Sequence, residues 1–222
     1  MRLARPSALL ALLATVAALV LASCGDDEEE APTAAASEAE CAEVEAPAPK
    51  DTRFDRPEEV LSRGEPATAA VDTSCGEFEI ELDTKGSPKT ANSFAFLAEE
   101  GLYDDTLFHR IAPGFVIQGG DPTGEGSGGP GYSVNEAPPD DAAYLHGTVA
   151  MAKTAVEPPG ESGSQFFVVT APADAGLPPQ YALLGEVRKG IDVVERIGEL
   201  GDPATEQPTQ AVVIESVTVE RG

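Results

Sequence analysis

From Gly76 to Asp83 the chain alternates without a slip, with Glu77, Glu79 and Glu81 set against Phe78, Ile80 and Leu82. A period of two sends successive side chains to opposite faces, so this run predicts a strand with one buried and one wet face. Ala69 to Ser74 supplies an antiparallel partner through a tight turn at Cys75-Gly76. Further short strands are expected at Phe115–Gln118, Thr148–Ala152, Phe166–Thr170, Ala182–Val187 and Val212–Val219. Connections rich in Gly and Pro, such as Asp121–Gly131 and Glu157–Gly163, separate them. Two stretches carry a helical period instead. Ser87 as N-cap, Pro88 at the first helical position and Gly101 as stop frame a helix with Ala91, Phe94, Leu97 and Ala98 on one face. Glu99 and Glu100 at its end oppose the helix dipole. Ile191, Val194 and Ile197 mark a shorter helix over Ile191–Leu200. Many short strands with two helices predict a mainly β fold, a closed antiparallel barrel rather than a βαβ sheet.

The region before this pattern has a different character. Arg2 and Arg5 precede an almost wholly apolar run from Ser7 to Leu21, shorter than the ~20 residues a spanning helix needs. It ends in Leu21-Ala22-Ser23-Cys24, which resembles a bacterial lipobox, and so predicts a lipoprotein signal peptide over 1–23 with lipidation at Cys24. Acyl chains there would hold the protein on a membrane surface, each buried methylene adding about 0.8 kcal/mol. Residues 25–66 carry 14 acids and four bases, are rich in Ala, Pro and Glu, and show almost no apolar periodicity. They read as an acidic tether over 24–66, disordered or only loosely docked, leading to a folded domain over 67–222. With Cys24 assigned to lipid, Cys41 and Cys75 remain as an even pair, either bridged or both free.

Composition and spacing exclude several kinds of chemistry. A net charge of −25 repels polyanions, so nucleic acid is not an expected partner. Only His109 and His146 are available as histidines, and no Cys/His set has zinc spacing, so no metal or cofactor is expected. Asp26–Glu30 lacks the spacing of a calcium loop and reads as a solvated run. Gly124–Gly131 lacks the Lys and following helix of a phosphate cradle, and Gly160–Ser164 lacks the context of a nucleophile elbow.

What remains is Arg110 among aromatic residues, within Phe108-His109-Arg110-Ile111-Ala112-Pro113-Gly114-Phe115 and the following Gln118-Gly119-Gly120-Asp121. Together with Gly147-Thr148-Val149-Ala150-Met151-Ala152, Ser162-Gly163-Ser164-Gln165-Phe166-Phe167 and the helical Ser87–Phe94, these blocks resemble the cyclophilin-type prolyl isomerases, in order, over 67–222. The resemblance implies an eight-stranded barrel closed by two helices, with a substrate groove on its outside. It implies that Arg110 is catalytic and that Phe115, Val116, Phe167, Leu177 and Tyr181 line a proline pocket. Gln118 would hydrogen-bond the substrate's carbonyl side, backbone near Ala152 and Lys153 would hold the peptide, and Gln165 would belong to the groove. His109 is expected as a supporting hydrogen-bonder, because isomerisation moves no proton.

The chain also departs from the family's usual pattern, with Gly176 where Trp is frequent, Tyr181 for His, Leu184 for Phe and Lys153 for Asn. The implied function is rotation of X-Pro bonds in exported polypeptides by a monomer anchored by lipid outside the cytoplasm. The rival reading is a module that grips proline-containing segments with little turnover, motivated by the altered positions 176, 181 and 184. A solute-capturing lipoprotein is disfavoured, since the 156 residues from Ala67 to Gly222 offer no two-lobed cleft.

Overall fold

The computed structural model describes residues 40–222; the expected signal peptide, Cys24 and the Asp26–Glu30 run lie outside them. The alternating run forms β2 (Gly76–Leu82), paired antiparallel with β1 (Ala67–Thr73). Thr73 faces Gly76 directly, so the turn is made by Ser74 and Cys75 rather than by Cys75-Gly76. Gly76 instead opens β2 at a φ of 114°. Two helices follow the expected places: α1 (Pro88–Glu99) and α2 (Ile191–Gly198). The other strands are β3 (Thr106–Leu107), β4 (Arg110–Ala112), β5 (Val116–Gly119), β6 (Val134–Asn135), β7 (Thr148–Met151), β8 (Glu161–Ser162), β9 (Phe166–Val169), β10 (Leu183–Lys189) and β11 (Val213–Arg221).

The main sheet runs β3–β11–β1–β2–β10–β7–β9–β5–β4, antiparallel at every pairing, and β6 pairs with β8 beside it. Its two outermost strands, β3 and β4, are separated in the chain only by Phe108 and His109. The single bent run 106–112 therefore pairs with β11 at its start and with β5 at its end, and an added bridge joins Leu107 to Asp121. Counted as one stave, that run brings the sheet round on itself with eight staves, the barrel expected from sequence. Closure removes the exposed edges that an open sheet would present.

The interior is filled by the inward half of each strand, including Phe78, Ile80, Ile111, Ile117, Val149, Met151 and Ile214. Phe94 of α1 stacks on Tyr103 at 4.7 Å, and Phe166 meets Phe94 edge-on at 5.6 Å. On β5, β7 and β9 the outward residues are buried as well. Val116, Ala150, Phe167 and Val169 join Ala112, Tyr144 and Ala171 in a second apolar cluster on the barrel's outer face. Leu184, read from sequence as an altered groove position, is fully buried in the main core instead. It has the inward parity of β10, and its neighbour Leu183 packs on the outer cluster.

The start of α1 departs from expectation in its chemistry. Ser87 occupies the N-cap position but its hydroxyl makes no cap hydrogen bond. Glu136 does that job from across the fold, its Oε2 accepting from the Thr90 N–H at 2.8 Å and the Thr90 hydroxyl at 3.0 Å. A carboxylate is well placed there, against the positive end of the helix dipole. At the other end, the mismatch of Glu99 and Glu100 is offset by imported cations. Lys50 Nζ donates to the carbonyls of Gly101 (3.0 Å) and Asp104, and Arg221 pairs with Glu99.

Residues 40–66 correct the sequence reading of a loosely docked spacer. They form no helix or strand until β1, yet they lie along the barrel as a fixed strap. A Cys41–Cys75 disulfide ties the strap to the first hairpin. Phe54 meets Phe96 edge-on at 5.2 Å, and Leu61 is buried in the core. Asn92 of α1 pins the far end: Oδ1 accepts from the N–H groups of Val60 (2.7 Å) and Leu61 (2.9 Å), while Nδ2 donates to Glu58 O at 2.8 Å. Few apolar side chains suffice because backbone groups, not a hydrophobic face, are matched to the barrel. Such matching leaves no periodicity in the sequence. Replacing Asn92→Ala is expected to speed amide hydrogen exchange at residues 58–62 and to lower global stability by only about 1–2 kcal/mol. Unchanged exchange there would show that the strap is held by other contacts.

Candidate active site

β4 and β5 pair with Arg110 opposite Gln118, and β5 pairs with β9 with Gln118 opposite Phe167. This register sets the guanidinium, the amide and the aromatic ring in one row across three strands. Arg110 Nη1 donates to Gln118 Oε1 at 3.2 Å, and Gln118 Nε2 donates to Gln165 Oε1 at 3.0 Å. Gln165 Nε2 in turn donates to the carbonyls of Gly126 (3.0 Å) and Gly128 (2.9 Å) in the loop after β5. The chain of bonds fixes each amide's orientation, since each nitrogen must face an oxygen.

A partner not foreseen from sequence holds the other side of Arg110. Nε donates to Glu206 Oε2 at 2.7 Å, and the Glu206 backbone carbonyl accepts from the Ile111 N–H at 2.9 Å. Glu206 sits at a φ of 58°, a strained region for a side chain with a Cβ. Asp202 builds the turn that puts it there, its Oδ1 accepting from the N–H groups of Ala204 and Thr205 at 2.8 and 2.9 Å. Those bonds hold the Asp202 carboxyl below the usual carboxylate range. The Arg110 and Glu206 side chains remain 32% and 45% exposed, so their ion pair adds little stability but does aim the guanidinium.

Beside this row lies the outer apolar cluster, with Phe115, Ala152, Leu177 and Tyr181 half-buried against Val116 and Phe167. Phe167 and Tyr181 meet edge-on at 5.4 Å, and Lys153 Nζ stands 5.9 Å from the centre of the Tyr181 ring. The structure thus brings together every groove residue expected from sequence, with Val116 forming floor rather than rim at 2% exposure. Tyr144, missed from sequence, is fully buried beneath, edge-on to Tyr181 at 5.8 Å. Its hydroxyl donates to Tyr181 O at 2.8 Å and accepts from Tyr181 N–H at 2.9 Å, clamping that backbone in place. A buried Tyr needs such partners, and here they also fix the groove's rim. A cavity of about 530 Å³ adjoins the row, lined in part by Gln118, Gln165, Ala152, Lys153 and Arg53.

The Asp121–Gly131 loop is shaped by Asp121, fully buried, which accepts from Thr123 N–H (2.7 Å), the Thr123 hydroxyl (2.9 Å) and Gly128 N–H (3.0 Å). Burial alone would raise its pKa, but these donors prevail and hold the carboxyl below its ordinary value. Gly120 just before it has a φ of 80°, and a Cβ there would lie 2.7 Å from Ser164 O. Both ring nitrogens of His109 are buried and neither makes a well-formed hydrogen bond to another of the described residues, so the ring's part is structural. The ring is packing under the loop, with Gly126 so close that a Cβ would stand 3.3 Å from Cδ2. Burial pushes the His109 pKa down, and the Arg110 charge adds to this; the Asp121 charge and the nearby Leu107 backbone and Gln165 side chain only partly offset it. Among the described residues no three His, Cys, Asp or Glu side chains gather as a metal would require.

The fold is thus a curled antiparallel barrel with two helices, carrying an arginine held by two acceptors beside an outer aromatic cluster. Comparison with known proteins makes the assignment specific. Residues 68–219 match the family described as cyclophilin type peptidyl-prolyl cis-trans isomerase/CLD. The chain is similar to peptidyl-prolyl cis-trans isomerase-like 1 of Neurospora crassa, 39% identical over 153 residues, covering 68% of this chain and 93% of the relative. It is also similar to peptidyl-prolyl cis-trans isomerase B of Streptomyces anulatus, 40% identical over 171 residues, 68% and 95% covered. Among solved structures, a cyclophilin type isomerase of Cryptosporidium parvum crystallised in the presence of the dipeptide Ala-Pro superposes with a TM-score of 0.63. That pair is 28% identical, and the match covers 70% of this chain and 99% of the other. The chain belongs to the cyclophilin-type peptidyl-prolyl cis-trans isomerase family, and its activity is rotation of X-Pro bonds.

The buried ring makes a pH prediction. Because His109 binds its proton less readily when folded than unfolded, stability is expected to fall as pH drops below the ordinary His range of about 6.5. Acid protonation of Asp121 acts in the same direction, with loss setting in at lower pH still. In ring-carbon NMR spectra His109 should titrate below that range; a value at or above it would contradict the burial argument.

Proposed function

We propose that the chain isomerises X-Pro bonds in exported polypeptides, with Arg110 as the catalytic residue and the Phe115–Phe167–Tyr181 cluster as the proline pocket. Twisting the X-Pro amide must overcome about 18–20 kcal/mol of lost conjugation. Midway, the prolyl nitrogen becomes pyramidal and regains a lone pair that the planar ground state lacks. Arg110 donates to that lone pair and so favours the twisted state over the planar one. The observation that carries this reading is that Nε and Nη1 are tied to Glu206 and Gln118, while Nη2 makes no hydrogen bond to another of the described residues and so is left to donate to a substrate.

Raising exchange from ~10⁻² to ~10³ s⁻¹ requires about 7 kcal/mol. A charge-assisted hydrogen bond supplies only about 1.5–3 kcal/mol of that. The remainder comes from immobilising the ring between Phe115, Leu177, Phe167 and Tyr181 while the other side rotates. Gln118 binds the carbonyl side, the Ala152–Lys153 backbone holds the flanking peptide, and Gln165 keeps Gln118 in place. Proline-containing peptide as the ligand of this fold is supported by the Cryptosporidium parvum structure crystallised in the presence of the dipeptide Ala-Pro.

The setting is a membrane surface outside the cytoplasm of a bacterium. Arg2, Arg5, the apolar Ser7–Leu21 run and Leu21-Ala22-Ser23-Cys24 support export as a lipoprotein, with cleavage before Cys24 and acylation, including palmitate-type chains, on that residue. A disulfide between Cys41 and Cys75 suits such an oxidising compartment. The enzyme works as a monomer on proline-containing polypeptides.

Two measurements test the two halves of this reading. In a protease-coupled assay on an Ala-Pro peptide, Arg110→Ala is expected to lower kcat/KM by about 10- to 100-fold, the equivalent of one charge-assisted hydrogen bond. Equal rates in both proteins would reject Arg110 as catalytic. Mass spectrometry of the mature protein should show Cys24 as the acylated N-terminus; an unprocessed or lipid-free Cys24 would reject the anchor.

A further inference from the structure

We propose that residues 40–66, which precede the family-matched stretch, are a working part of the site: they hold the Asp121–Gly131 loop where Gln165, Gln118 and Arg110 need it. The strap touches both ends of that loop. Lys50 N–H donates to Pro122 O at 2.8 Å, and Phe54 N–H donates to Pro130 O at 2.7 Å. Gly131, at a φ of 91°, approaches so closely that a Cβ would stand 2.9 Å from Phe54 O and 3.2 Å from the Arg53 Cβ. The contact was therefore built for glycine, and it leaves the strap no room to shift inward.

The loop needs such support. Gly124, Gly126, Gly128, Gly129 and Gly131 give it large conformational freedom, which must be removed before any of its carbonyls can serve as a fixed acceptor. Asp121 restrains its first half from within. The strap restrains it from without, and is itself anchored at three separated points: the Cys41–Cys75 disulfide, Lys50 on Gly101 O, and the Asn92 side chain. From the loop that the strap holds at Pro122 and Pro130, an unbroken sequence of hydrogen bonds runs from the carbonyls of Gly126 and Gly128 through Gln165 and Gln118 to Arg110. Arg53 also lines the cavity next to Gln118 and Gln165, so the strap walls the site as well as bracing it. Residues 50–54 are thus positioning residues for the isomerase reaction, supplied by sequence outside the matched family stretch of 68–219.

This inference rests on the isomerase reading, and the test separates the two. In the full chain, the combined variant Cys41→Ser/Cys75→Ser/Lys50→Ala/Asn92→Ala removes all three of the strap's anchors without touching a groove residue. NMR exchange on an Ala-Pro peptide measures kcat and KM, side-chain amide resonances report Gln118 and Gln165, and hydrogen exchange at 50–54 reports the strap. With the strap released, kcat should fall about tenfold while KM changes less, and the Gln165 amide signals should shift. Freely exchanging strap amides with unaltered kcat and unaltered Gln165 signals would overturn the proposal. Absence of turnover in the wild-type chain would instead refute the isomerase reading.

Discussion

The bent run from Thr106 to Ala112 decides where the rest of the molecule goes. Its first two residues pair with β11 and its last three with β5, so a chain of antiparallel hairpins becomes a closed surface only through it. Closure has a cost, because a closed wall leaves the outward residues of β5, β7 and β9 with no sheet to pack against. The molecule covers them with Tyr144, Leu177 and Tyr181 from the intervening loops, and what remains open between those side chains is the groove. Since Arg110 belongs to the closing run itself, the same pairing that seals the barrel sets the guanidinium at the groove's edge. A densely packed barrel interior then makes that placement stiff.

Within the groove the division of labour is electrostatic on one side and steric on the other. The guanidinium is held by two acceptors of different kinds, a carboxylate at Nε and a neutral amide at Nη1. Its partial exposure keeps the ion pair weak in energy, yet two fixed contacts are enough to remove its rotational freedom. The apolar side depends on a single buried phenol. Tyr144 satisfies both its donor and acceptor capacity on the backbone of Tyr181, so the rim and the floor move together. In the proposed mechanism one hydrogen bond to the twisted nitrogen is too small to supply the acceleration, and this coupling of rim to floor would let the pocket supply the larger share.

Legibility in the sequence followed the range of the interaction. Strict alternation predicted β2, and helical spacing with Pro88 and Gly101 predicted α1, because both depend on neighbours a few residues away. The motif blocks placed Arg110, Phe115, Gln118, Gln165 and Phe167 in one site, and they do converge. The misses all involve partners distant in sequence. Glu136 caps α1 from 46 residues away and Glu206 reaches Arg110 across 96. Leu184 looked like a groove position by its place in a block, whereas strand parity sends it to the core. His109 had no local signal to show that its nitrogens would be sealed off from partners.

The strap is where the two sources of information diverge most. Acidic, Pro-rich residues without apolar period have the composition of a solvated spacer, and by burial of side chains alone they could not order themselves. They are ordered by a disulfide, a lysine on a helix end and an asparagine that matches three backbone groups. Each of these needs a finished barrel to dock on. The sequence by itself determined the family, the longer strands and both helices, because periodicity and motif spacing are properties of neighbouring positions. Only the tertiary structure decided how the barrel closes, which groups hold Arg110, and how residues 40–66 dock on the barrel and its glycine-rich loop. Those outcomes depend on hydrogen bonds between groups that meet in space only after folding.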